Sequence, residues 1–188
     1  MSRAIPLQTG DAANSVVSRS QIGRALADRL AEDDGVRDLV CLEGNPRFMG
    51  DLMRLNPHLQ FDGQCEAAFK FYEQCLSGKI VMMMTYGESP VGEQMQTECR
   101  RRILHTTLAV GNYLLQGADV PQESYQRPQG FSVMLNVEDA TEAERIFNSL
   151  SQNGAVQLPL QETFWAMRFG MLVDQFGTPW TVNCGKPR

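Results

Sequence analysis

The sequence predicts an α+β protein in which one βαβββ unit occurs twice, and three observations carry that prediction. A strand, a helix, a glycine stop and a second strand follow one another between residues 56 and 86. The same order returns 76 residues later, where Leu59 falls on Leu135, Phe61 on Val137, Glu66 on Glu142, Ala67 on Ala143, Phe71 on Phe147, Gly78 on Gly154 and Ile80 on Val156. Each copy then runs into two or three further strand-like segments.

The start of the chain has a different texture. Residues 1–17 are small and polar with no apolar period, whereas Ser20 to Glu32 sets Ile22, Leu26 and Leu30 four apart behind Ser20 as an N-cap, a helical spacing. Gly44-Asn45-Pro46 then breaks the chain. Residues 1–54 are therefore expected to be a partly helical extension, too short for a core of its own. The domain proper is expected at 55–188, with module 1 at about 55–117 and module 2 at about 129–184.

In module 1, Asn56 to Phe61 alternates, with Leu59 and Phe61 on one face and His58 and Gln60 on the other, which marks a half-buried strand. Asp62-Gly63 turns the chain into Cys65 to Leu76, a helix with Ala68, Phe69, Tyr72 and Leu76 on one face, and Gly78 ends it as a C-terminal glycine. Lys79 to Tyr86 is a methionine-rich strand. Arg102 to Val110, the loop Gly111-Asn112 and Tyr113 to Gln116 make a hairpin. Module 2 repeats the plan with a helix at Ala140 to Ser151, then strands at Phe164 to Val173 and Pro179 to Asn183, joined through Asp174-Gln175-Phe176-Gly177, read as a turn only. Two polar, proline-bearing connections, Gly87 to Arg100 and Ala118 to Gly130, complete the chain.

Composition removes several function classes. With 17 basic against 22 acidic residues the 188-residue chain carries a net charge of −5, which speaks against nucleic acid as a partner. Its longest apolar stretches, such as Ile80 to Met84, are far too short to span a membrane. Met1 to Gly10 holds no apolar run of the kind a secretory signal needs. Five cysteines (Cys41, Cys65, Cys75, Cys99, Cys184) form an odd set without C-x-x-C spacing, so reduced thiols and a cytoplasmic location are expected.

The segments NPHLQFDGQCEAAFKFYEQCLSG, HTTLAVGNYLLQGAD and ETFWAMRFGMLVDQFGTPWTVN resemble the PhnB-like branch of the vicinal oxygen chelate superfamily, which holds glyoxalase, bleomycin-resistance and extradiol dioxygenase proteins. The resemblance runs from Leu55 to Asn183. It implies paired βαβββ modules whose curled mixed sheets form a cup, and a homodimer. It also implies, for metal-using members, His or Glu at four cup-facing strand positions, because a divalent ion needs imidazole or carboxylate donors converging on it. Here those positions fall at His58 or near Gln60, near Gln116, at Ser132 or Met134, and near Thr181, so His58 alone is a good donor. A cup without the usual metal is expected, with a bound divalent metal as the second reading.

Strand alternation places Gln116, Thr181 and Trp165 with His58, Gln60 and His105 on the cup face, a set of ligand-binding candidates suited to an organic molecule. His105, in Ile103-Leu104-His105-Thr106, is the better of the two histidines; a neutral imidazole there either packs with one nitrogen bonded or exchanges a proton with a substrate. Glu162 and Arg168 flank Phe164 and Trp165 and join His105 as catalytic candidates. Met82-Met83-Met84 alternates in facing and reads as adaptable packing. PhnB-like relatives carry a 3-demethylubiquinone methyltransferase label. An adenosyl cofactor asks for a strand, a glycine-rich turn and a helix in an α/β chain, and this sequence does not offer that motif. Two functions follow: a metal-free binding protein for a small organic molecule, or a lyase, isomerase or dioxygenase-type enzyme using a noncanonical divalent metal or His105 as general acid/base.

Overall fold

A computed structural model describes residues 54–90, 92–94 and 96–187; the expected extension falls outside them except for Arg54. Module 1 holds β1 (His58–Phe61), α1 (Cys65–Cys75), β2 (Lys79–Thr85), β3 (Ile103–Val110) and β4 (Tyr113–Asp119), in the sheet order β1-β4-β3-β2. Module 2 holds β5 (Val133–Asn136), α2 (Ala140–Leu150), β6 (Ala155–Gln161), β7 (Ala166–Val173) and β8 (Pro179–Gly185), in the order β5-β8-β7-β6. In each sheet the first strand lies parallel to the last and the other pairs are antiparallel. These are two open, mixed sheets of the kind the sequence resemblance implies.

The duplication extends to strand register. His58 opposes Gln116 where Met134 opposes Thr181, and Gln60 opposes Ala118 where Asn136 opposes Asn183. Ile80 opposes Leu108 where Val156 opposes Leu172, and in both copies the register slips at the next residue, a bulge that twists the strand. The helix ends differ from expectation in an informative way. Ser77 (φ 51°) and Asn153 (φ 55°), again 76 apart, take the left-handed conformation rather than the glycines after them. Gly78 and Gly154 are needed for space, since a Cβ would meet the Ala109 carbonyl oxygen at 2.7 Å in one copy and that of Val173 at 2.5 Å in the other.

Alternation decides which face of each sheet is buried. Leu59 and Phe61 are buried while His58 and Gln60 are exposed, and Met83 packs on the core while Met82 and Met84 point to the other face. Helices α1 and α2 cover the inner faces and pack on one another, so one apolar cluster runs through both modules. Aromatic rings seal the junction, with Tyr72 5.2 Å from Trp180 and Phe71 5.7 Å from Phe176 between ring centroids.

Two buried aspartates that sequence reasoning did not single out hold this arrangement. Asp119, at the end of β4, accepts from the Cys65 amide (3.0 Å) and the Ile103 amide (2.8 Å), so it caps α1 and anchors β3. That explains why β4 continues past Gln116, where the expected strand stops. Asp174 is more than part of a turn: it accepts from the Phe176 and Thr178 amides, from Trp180 Nε1 (2.8 Å) and, across the module boundary, from the Tyr72 hydroxyl (2.7 Å).

Candidate functional site

The outer face of module 1 gathers the polar residues. In one cross-strand row His58 opposes Gln116, which opposes Thr107, which opposes Met82. In the next row His105 opposes Met84. The two imidazoles stack with centroids 6.1 Å apart and ring planes at 28°, and His105 Nε2 lies 3.1 Å from the Thr107 hydroxyl. His58 is exposed only in part, and burial of the remainder lowers its pKa, its own backbone hydrogen bond opposing the shift. Burial also lowers the pKa of His105, and His58 adds to that by like-charge repulsion. Both rings are therefore held neutral at pH 7, each with a donor nitrogen and an acceptor nitrogen.

A pH experiment checks this. The folded chain binds these protons less readily than the unfolded chain, whose reference value is 6.5, so the pair's contribution to stability is complete above 6.5 and is lost as pH falls toward the lowered folded values. Between about pH 7.5 and pH 5.5 the melting temperature of the native chain should drop further than that of a His58→Gln, His105→Gln double variant. Equal drops would show that the pair is not linked to folding.

The other candidates lie elsewhere. Arg168 Nε donates to Glu144 of α2 at 2.6 Å, on the helix side of its sheet. Glu162 pairs with Lys186 at 2.7 Å on the surface. The structure thus does not join either to His105. Gln60, exposed on β1, shares the His58 face. Thr181 is buried beside Met134, its hydroxyl 2.8 Å from that of Ser132. Trp165 packs edge-on against Phe164 and Phe169. These last two occupy the face of module 2, whereas His58, Gln60, His105 and Gln116 occupy that of module 1.

The register also selects among the metal-ligand positions the superfamily implies: His58 with Gln116, and Met134 with Thr181. An imidazole, an amide, a thioether and a hydroxyl already bonded to Ser132 do not fit a divalent ion. Among the described residues no three His, Cys, Asp or Glu side chains cluster. The Cys65 and Cys75 thiols are not set up as nucleophiles, since burial pushes the Cys65 thiol well up, helped by Asp119, and the Cys75 thiol to about 11.

The family model for 3-demethylubiquinone-9 3-methyltransferase matches residues 53–183. The chain belongs to this PhnB-like family. Protein YjdN of Escherichia coli is 31% identical over 142 residues, which are 71% of this chain and 97% of that protein. Among solved structures, protein PA1353 of Pseudomonas aeruginosa is 39% identical with a TM-score of 0.64, over 72% of this chain and 99% of its own. A PhnB protein of Bacillus cereus is 23% identical with a TM-score of 0.60, over 71% and 100%. The PhnB-like family lies within the vicinal oxygen chelate superfamily, as the sequence resemblance implies. No helix among the described residues is long and apolar enough to cross a membrane.

Proposed function

We propose that this PhnB-like protein binds a small organic molecule in its sheet cup without the usual catalytic metal. The observation that carries the proposal is the stacked His58–His105 pair beside Gln116 and Thr107: neutral donors and acceptors on one sheet face, with no carboxylate bonded to either ring among the described residues. Such a face suits hydrogen bonding to an organic ligand and is poor for a hard ion. The enzyme alternative is weakened because Arg168 and Glu162, its other catalytic candidates, are engaged with Glu144 and Lys186. Methyl transfer, which the family description names, is not part of this proposal.

A homodimer belongs to the same proposal. Phe164 (89% exposed), Phe131 (55%), Met134 (54%) and Val156 (49%) leave apolar surface uncovered on module 2, and a second copy would cover it and close the cup. Light scattering should give twice the 21.0 kDa chain mass at micromolar concentration. Elemental analysis of protein purified without chelator or nickel affinity should find no stoichiometric zinc, nickel, manganese or iron. A metal at one equivalent per chain would reverse the choice between binding protein and metalloenzyme. In a screen of small polar organic molecules, a true ligand should shift the ring NMR signals of His58 and His105 together.

A further inference from the structure

Between the two modules the core is left open at one place. A groove of about 530 Å³ has Leu76, Leu115, Ile146 and Trp180 as its floor. All four belong to the apolar cluster that runs through both modules, so the groove opens on the core side of the sheets and away from the cup. One wall is β5, the edge strand of its sheet. At the rim Leu55 is 97% exposed and Tyr113 81%.

Two observations point to what covers it. The first is where the chain enters. The described part starts at Arg54, so residues 1–53 join the domain at the rim of the groove. Within them Ile22, Leu26 and Leu30 recur four apart over residues 20–32. A lone helix of about a dozen residues is marginal in water and is stabilised by laying such a stripe on an apolar surface. The second is charge. Glu138 and Glu142 line the groove and no basic side chain does. Glu142 holds Arg145 at 2.7 Å, whereas Glu138 has no ionic partner among the described residues. Arg29, three residues after Leu26 and seven after Ile22, flanks the apolar stripe with the opposite charge.

We propose that residues 20–32 dock as a helix in this groove of their own chain, with Ile22, Leu26 and Leu30 on its floor and Arg29 beside Glu138. Residues 33–54 tether the segment, so docking is intramolecular and needs less affinity than a free helix would. This inference is independent of the His58–His105 face.

Methyl NMR of the full chain tests it. Nuclear Overhauser contacts should join the Leu26 and Leu30 methyl groups to those of Leu115 and Ile146. In a mixture of two differently labelled chains these contacts should stay within one chain. A Leu26→Asp, Leu30→Asp double variant, which leaves residues 54–187 untouched, should lose the contacts and shift the Leu115 and Ile146 signals while the His58 and His105 ring signals stay in place. Glu138→Arg should shift the same groove signals part of the way, and adding Arg29→Glu should bring them back. Groove signals that do not move in the double variant would overturn the assignment. So would contacts found only between chains, or groove signals that follow protein concentration and ignore the variant, either of which gives the groove to a second copy.

Discussion

Replacing Asp174 with alanine should cost the folded chain about 3–5 kcal/mol, because several buried donors lose their only carboxylate at once. Asp174 is 4% exposed and receives four hydrogen bonds from Phe176, Thr178, Trp180 and Tyr72. After truncation the Tyr72 hydroxyl keeps Thr178 Oγ1 at 2.9 Å, but the Trp180 indole N–H, buried with its ring, has no other partner among the described residues. The Tyr72 hydroxyl stays protonated in the native chain, since burial and the nearby Asp174 push its pKa well up, so it is a dependable donor. Tyr72→Phe removes only one of the four and should cost about 1–2 kcal/mol. The double variant should lose less than the two singles together, because they share one hydrogen bond. Urea unfolding of Asp174→Ala with a loss under about 1 kcal/mol would mean that Asp174 does not tie the two modules together.

Much of this fold was legible because it is written twice. Residue types recurring at one offset located both helices and the first two strands of each copy, and alternation at His58-Leu59-Gln60-Phe61 assigned the faces of β1. The parts that stayed hidden depend on contacts between distant segments. Asp119 and Asp174 looked like loop residues because most of their partners are 16 to 102 positions away or are backbone amides, which leave no local pattern. The helix-ending glycines were found for a reason that proved incomplete: the clash lies with a strand of the same module and not in the helix itself.

For the candidate site, strand parity was enough to group His58, Gln60, His105 and Gln116, since all four lie in regular strands of one sheet. It was not enough for Glu162 and Arg168. Glu162 falls in the link before β7, where alternation carries no information, and Arg168 faces α2, opposite in direction to Phe169. Closeness in sequence to Trp165 made them look like one cluster, and the pleat of β7 separates them.

The face assignment itself predicts the second large effect. Leu59 is 4% exposed and belongs to the apolar cluster beneath β1, where its removal leaves a cavity that α1 and β4 cannot readily close. Leu59→Ala should therefore cost about 2–5 kcal/mol in urea unfolding. His105, on the opposite face, has the Thr107 hydroxyl as its side-chain hydrogen-bond partner among the described residues, and its truncation opens onto the cup and leaves the core intact. His105→Ala should change stability by less than about 1 kcal/mol while abolishing the paired ring shift of any ligand that docks on module 1. A large loss at His105 together with a small one at Leu59 would mean that the cup and the core had been assigned to the wrong sides of the sheet.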